Sequence, residues 1–397
     1  MPALLLAAIG LAAVGLAALA NEPAGDADTS ALSLPAQLGR ALFFDPALSA
    51  SGRLACASCH DPRAAYAAPA AASDGIMQGG PQLDLPGLRA VPSLRYLQGT
   101  PRFTRHYYVD SGREREDLGP AGGFMLDGRV DTLAQQALLP WFDPREMANA
   151  SRSQLAARLR AAPYAALFAR AFGLAATDDE LLRQGAEALQ QFESEDPSFH
   201  PYSSRYDRYL AGGERLSAAE LRGLRLFADP DKGNCAACHT LSGEAGGRPP
   251  LFTDRSYHAL GIPRNRAIAA NRDPGFFDLG LCGPLRQDLR LETRYCGYFK
   301  TPTLRNVARR RAFFHNASMS SLEQVLRFYV SRDLRPELWY PRTRAGALRF
   351  DDLPARWRGN VNVSDAPMNR RPGDDPALDA AEISDVVAFL CTLDDAD

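Results

Sequence analysis

The sequence predicts a mainly α-helical protein of two similar domains related by duplication, and three observations predict it. Capping boxes, Ser, Thr or Asp followed three residues later by Glu, stand at Thr177/Glu180, Ser217/Glu220, Ser320/Glu323 and Asp379/Glu382, each opening a run with apolar spacing of three and four. Few stretches alternate with the period of two that a strand needs. The segment "LGRALFFDPALSASGRLACASCH" also has a shorter counterpart, "LRGLRLFADPDKGNCAACH". In both, a helix ending in Leu-Phe-x-Asp-Pro runs into a cysteine motif, with Gly39 matching Gly223 and Asp45-Pro46 matching Asp229-Pro230. Such self-similarity implies two copies of one unit.

Taken in chain order, residues 1–20 are apolar throughout and end in Ala18-Leu19-Ala20 before a polar stretch. This reads as an export signal cleaved near Asn21, although the usual positive n-region is missing. The alternative is a membrane anchor, because about 20 apolar residues can span a bilayer; nothing downstream is long and apolar enough to do so. The first domain is expected over 21–197 and the second over 198–397, with "SEDPSFHPYSSRYDRYLAGG" (194–213) as the crossing. The connections at 61–123 and 241–300 are long and rich in Pro, Gly, Asp and Arg, a length that suits loops wrapping a large group. In the last helix, "ISDVVAFLCTL", Ile383, Val386, Val387 and Leu390 share a face, and Cys391 reads as a small buried side chain.

At 397 residues the chain is long enough for two cores. With 23% charged residues and a formal net charge of −2, it has no basic excess to suggest nucleic acid as a partner.

Four of the seven cysteines lie in "LACASCHDP" and "GNCAACHTL". Cys-x-x-Cys-His is the attachment signal for c-type haem: two thioethers fix the macrocycle and the adjacent histidine lies beneath the iron. Zinc would want both cysteine pairs on one metal, and a redox dithiol is expected in a βαβ context that is absent. Cys56, Cys59 and His60 are therefore assigned to one covalent haem, and Cys235, Cys238 and His239 to another. Cys282 and Cys296 bracket a polar loop; in an oxidising compartment they could close a disulfide worth roughly 3 kcal/mol, or remain two free thiols.

The distal faces decide between a carrier and an enzyme. A carrier caps both irons with strong ligands, whereas a catalyst leaves one position open. At this point the chain resembles the bacterial di-haem cytochrome c peroxidase/MauG superfamily from Leu38 to its C-terminus. The resemblance is carried by "LGRALFFDPALSASGRLACASCHDP", "LDGRVDTLAQQALLPWFDPREM", "FKTPTLRNVARRRAFFHN" and "LEQVLRFYV", and it implies cytochrome c-like domains. It further implies a periplasmic enzyme acting on hydrogen peroxide. Electrons would come from a small redox protein (a cytochrome c or a cupredoxin) or from a residue of a protein substrate. Glu146 would be the acid–base group over the open first haem, with Gln136 and Pro140 lining that pocket. Tyr329, fourteen residues after His315, would be the distal ligand of the second haem, as in the MauG-like branch; Leu322, Val325 and Leu326 share its helical stripe, and Met319 is the rival ligand. The non-enzymatic alternative is a di-haem electron-transfer cytochrome with both irons six-coordinate.

Three departures qualify the resemblance. Leu126 stands where the family places a tryptophan between the haems, so a charge route needs another group such as Phe124. Ala90 replaces the asparagine expected to bind calcium, which makes that ion doubtful and raises the alternative that Arg310 or Arg311 supplies its charge. No histidine in "AAASDGIMQGG" offers a distal ligand to the first haem, and His106 lies in an insertion. His200, His258 and His315 are read as structural or supporting groups.

Overall fold

The computed structural model describes residues 32–72, 75–110 and 115–396; the expected signal segment and its cleavage site lie outside them. Ten α-helices form the described framework. In the first half they are α1 (Leu34–Phe43), α2 (Cys56–Cys59), α3 (Leu133–Phe142), α4 (Arg152–Ala161), α5 (Ala165–Phe172) and α6 (Asp178–Glu195). The second half has α7 (Arg205–Leu210), α8 (Ala218–Ala228), α9 (Leu322–Ser331) and α10 (Ala380–Cys391). Strands occur only as four two-stranded antiparallel pairs among the described residues, so the fold is mainly helical, as expected. No described helix is long and apolar enough to cross a membrane.

The caps explain where the helices start. Thr177, Ser217 and Asp379 each accept a hydrogen bond from the backbone N–H of the glutamate three residues on. The first turn of α6 carries Asp178, Asp179 and Glu180, which suit the positive end of its dipole. The expectation at α9 is corrected by one residue. Ser321 caps Gln324, while the Gln324 side chain takes the N–H of Ser320, so glutamine rather than Glu323 closes the turn.

Two large apolar cores result among the described residues, one built from Leu38 to Phe199 and the other from Tyr206 to Leu393, with a small third cluster of Tyr257, Leu281, Leu289 and Tyr295. Each large core is organised by one helix crossing in which a glycine is required. A Cβ on Gly39 of α1 would overlap the Ala188 carbonyl and the Phe192 side chain of α6, and one on Gly223 of α8 would overlap the Asp385 carbonyl and Phe389 of α10. Phe43 and Phe227 follow these glycines at the same interval, and each is 1% exposed. On α10, Ile383, Val386, Phe389 and Leu390 are buried. Cys391 is exposed, which corrects the expectation that it is buried. One residue beyond Leu390 the helix has turned about 100° away from the core.

The long connections hold little regular structure. Cys282 and Cys296 are joined as a disulfide, with Cα atoms 5.0 Å apart. The 194–213 segment folds into a 3₁₀ turn and α7. Beside it the C-terminal Asp395 is buried, accepting hydrogen bonds from Tyr96 Oη at 2.8 Å, Ser203 N at 3.1 Å and Asn306 Nδ2 at 2.5 Å.

If the glycine crossings set the helix spacing, Gly39→Ala and Gly223→Ala will each lower stability by about 1–3 kcal/mol, the usual cost of overpacking. Thermal unfolding checks this, with an alanine at the exposed Gly359, where an added Cβ meets nothing within 4 Å, as control.

Candidate functional site

Both cysteine motifs fold into a single tight turn that delivers the following histidine to the same kind of partner. The His60 N–H donates to the Cys56 carbonyl at 2.9 Å, and the His239 N–H to that of Cys235 at 2.8 Å. His60 Nδ1 lies 3.1 Å from the carbonyl oxygens of Tyr66 and Pro92, and His239 Nδ1 lies 2.9 Å from that of Phe252. Carbonyls only accept, so Nδ1 carries the proton in both rings and Nε2 keeps its lone pair for a metal. Burial also lowers the pKa of both imidazoles, which favours the neutral ligand form.

Two segments beside these rings share a pattern that the sequence reading passed over: Pro92-Ser93-Leu94-Arg95, which bears one of the His60 carbonyls, and Pro302-Thr303-Leu304-Arg305, whose Pro302 backbone is a further partner of His239. The Ser93 hydroxyl donates to Ala65 O at 2.6 Å, and that of Thr303 to Leu251 O at 2.6 Å. Arg95 Nε donates to Ser198 O and Arg305 Nε to Pro250 O, each at 2.9 Å. A search for four-residue repeats, rather than for cysteine motifs alone, would have found them.

The chemistry of the donor set fits a tethered haem better than its rivals. Burial pushes the Cys56, Cys59 and Cys235 thiols up to about 12, far from the reactive thiolate a redox dithiol needs. Among the described residues, no group of potential metal ligands joins the two cysteine pairs; the one such group is Cys238, Asp254 and His258. Cys235, Cys238 and His239 instead face a cavity of about 310 Å³, a size typical of cofactor pockets. Its opposite wall comes from α9, where Leu322, Val325, Leu326 and Tyr329 all line it. Burial first, and the neighbouring Cys238 and Cys235 next, raise the pKa of the Tyr329 phenol. Met319 is 3% exposed, packed in the second core and away from the cavity wall. Met368, not weighed from sequence, does line the cavity, but its sulfur already lies 3.3 Å from Arg332 Nη1.

Helix α3 is the counterpart of α9. Thr132 caps Gln135 as Ser321 caps Gln324, and both glutamine side chains reach back to a backbone N–H four residues earlier. In that register Pro140 matches Tyr329 and Gln136 matches Val325. Pro140 brings no donor atom, and its missing N–H leaves the helical turn open at the Gln136 carbonyl. Gln136 is 9% exposed, yet its Oε1 has no hydrogen-bond partner among the described residues, an orphaned acceptor that suits a bound group.

Glu146 follows in a turn held from two sides. Its N–H donates to Asp143 O at 3.0 Å, and its carbonyl accepts from Gly80 N at 2.9 Å. Gly79 packs so closely that a Cβ there would strike the Arg145 carbonyl and the Glu146 Cα. The half-buried carboxyl is pushed up to about 7 by desolvation first and Asp143 second, with Arg129 opposing. Its charge acts on Cys56 and Cys59, which sets it beside the first motif.

The remaining nominated residues are engaged as follows. The Leu126 carbonyl accepts from Lys300 N at 2.9 Å, and Lys300 Nζ sits 5.7 Å from the Phe124 ring centroid, donating to Gly123 O. Ala90 N donates to His315 O at 2.8 Å, Arg310 reaches the Val91 carbonyl at 3.4 Å, and Arg311 is exposed. His106 pairs with Asp117, His200 with the Ser194 carbonyl, His258 with Ser256 and His315 with Asp352.

Comparisons with known proteins agree with this geometry. The family model for di-haem cytochrome c peroxidase matches residues 34–215. The chain is 32% identical to the methylamine utilization protein MauG of Paracoccus denitrificans, over 91% of this chain and 88% of that one. It is 29% identical to the cytochrome c551 peroxidase of Nitrosomonas europaea, over 73% and 71%. The crystal structure of the diheme peroxidase BthA from Burkholderia thailandensis superimposes with a TM-score of 0.81 at 42% identity, covering 91% of this chain and 86% of that one. The chain belongs to the di-haem cytochrome c peroxidase/MauG family, whose members are haem-bearing, peroxide-dependent oxidoreductases.

Proposed function

We propose that the chain is an exported periplasmic enzyme with two covalent c-type haems. The first is held by Cys56, Cys59 and His60 in a domain spanning 21–197, and the second by Cys235, Cys238, His239 and Tyr329 in a domain spanning 198–397. The observation that carries this reading is the pairing of Pro140 with Tyr329 at matched positions of α3 and α9. One site then has a side-chain oxygen for its distal ligand and the other has none, which suits an oxidant rather than a pure carrier.

When bound, the haems supply the redox equivalents that reduce peroxide to water. The protein supplies the protons and the order. Glu146, in its ionised form, takes a proton from one peroxide oxygen and returns it to the other, which leaves as water. Gln136, with a free buried oxygen on a side chain that also borders the cavity of the second motif, orients the oxidant. Tyr329 offers a hard anionic oxygen that favours the ferric and higher states, where a methionine would favour ferrous iron. Electrons come from a small redox protein, a cytochrome c or cupredoxin, or from a residue of a partner protein. Arg310, reaching across to the Val91 carbonyl, takes the role that calcium would have beside Ala90.

Glu146→Gln should lower peroxide turnover by about 10²–10⁴-fold. A carboxyl lifted to about 7 is protonated below that pH and ionised above it, so wild-type kcat/KM should rise as pH increases through 7, and the variant should lose this limb. Stopped-flow rates across pH test both statements; equal rates remove the assigned role. Low-spin spectra at both irons, unchanged by peroxide, would instead identify an electron carrier. Tyr329→Met should raise the potential of the second haem, read by optical redox titration, and an unshifted potential would mean that Tyr329 is not a ligand. Metal analysis of the purified protein should find no stoichiometric calcium; one ion per chain would reject the substitution by Arg310.

A further inference from the structure

Helices α6 and α10 occupy matching places in the two halves. Ala188 and Phe192 of α6 meet Gly39, and Asp385 and Phe389 of α10 meet Gly223. Each pair is separated by four residues, so the helices share one register and Glu193 corresponds to Leu390. Leu390 is 4% exposed and lines the cavity with Cys235, Cys238 and His239. Glu193 is 7% exposed, its Oε2 has no hydrogen-bond partner among the described residues, and its charge acts on Cys56 of the first motif. An ionisable group thus replaces an aliphatic one at equivalent points in the walls of two otherwise similar sites.

Among the described residues, no cation offsets this carboxyl. Helix α3 carries no charged residue. Arg40 of α1 lies over the Phe44 ring, and on α4 Arg152 and Arg160 pair with Asp179 and Asp178 while Arg158 donates to the Ala47 carbonyl. Arg170 is exposed on α5, Glu195 is bonded by Ser33, and Asp196 caps the turn that follows. Glu146 also acts on Cys56, more weakly than Glu193 does. Burial alone accounts for the rise of the Glu193 carboxyl to about 8.

We propose that Glu193 is the redox-linked proton acceptor of the first haem, a role for which the second site, with Leu390, has no equivalent. The inference rests on the reading that Cys56, Cys59 and His60 hold that haem. One electron from the redox-protein donor converts the ferric iron to ferrous, and one proton from solvent converts the Glu193 carboxylate to the acid; reoxidation releases both. An ionised carboxylate in a low-dielectric wall favours the higher iron charge, and removing a positive charge from the iron raises the carboxyl pKa in turn.

The test is an optical redox titration of each haem at pH values bracketing 8, in wild type and in Glu193→Gln. In wild type the first haem's potential should fall with rising pH with the slope of one proton per electron. In Glu193→Gln that slope should be lost, while the second haem's potential stays unchanged. Equal slopes in the two proteins overturn the proposal. If Glu193→Gln fails to mature, the wild-type redox-difference infrared spectrum decides. A protonated carboxyl band should appear on reduction of the first haem, shift in D₂O and persist in Glu146→Gln; its absence rejects Glu193 as acceptor. Haem content by pyridine haemochrome keeps the two failures apart, because a wild-type protein without a haem at the first motif undoes the underlying reading instead.

Discussion

The rest of the structure depends on where two imidazole rings are pinned. A metal-ligating histidine almost always has its other nitrogen committed elsewhere, and here Nδ1 is committed to backbone carbonyls in both halves. Those carbonyls belong to extended segments with few regular backbone partners, so side chains must hold them in place. Ser93 and Thr303 tie their segments to the loops beneath, and Arg95 and Arg305 reach further back to chain that precedes or follows a core helix. The helices set the depth of each pocket, and the hydroxyl–guanidinium pairs set the ring orientation within it. Long loops are then a requirement rather than an ornament, since each motif needs a distant stretch of chain folded over its histidine.

Much of the framework was legible because it is local. A capping residue and the glutamate three positions on are fixed by one helical turn, and α6, α8 and α10 start where those residues stand. The one-residue slip at α9 arose because Ser320 and Ser321 are adjacent and either glutamate or glutamine can close the turn. Cys391 was misjudged because a helical stripe read at its very end gives no warning of where the face turns away. The stripe through Tyr329 was readable, and its members line the cavity. What sequence did not disclose is the long-range set: Gly79 pressed on Glu146 and the unpartnered oxygens of Gln136 and Glu193. Such pairings carry no periodicity, since they arise only when distant segments are packed together.

The halves are also clamped to each other by buried charge. Arg89 donates to Asp127 at 2.8 Å and to Asp278 at 2.6 Å, while the Asp127 carboxylate also accepts from Arg129. The Arg89 guanidinium lies over the Phe299 ring, whose other contact is the His315 imidazole stacked at 3.6 Å. Buried ion pairs recover little net stability after desolvation, but leaving one partner alone is costly. The cluster therefore disfavours relative movement of the halves more than it strengthens either, and the Asp395 contacts do the same at the chain terminus. If charge passes between the two sites as proposed, a fixed separation would matter more than extra stability, because Leu126 offers no aromatic ring to bridge a gap that varies.

Against a shared scaffold, the differences between the two sites reduce to a few matched positions. Pro140 stands for Tyr329, Gln136 for Val325 and Glu193 for Leu390; Glu146 adds a third polar group to the first site through a loop held by Gly79 and Gly80. Two of these matched differences turn an apolar position polar with a free acceptor and the third removes a phenol, while the α1–α6 and α8–α10 pairs keep their registers and their glycine crossings. Burying unpaired oxygens costs stability, so retaining Gln136 and Glu193 among so few apolar alternatives points to work done on a bound group. The apolar wall and phenol of the second site suit a stable store of charge, and the polar, unligated wall of the first suits proton traffic. On the proposed reading, a handful of side chains at matched positions would separate a reactive first site from a storing second one.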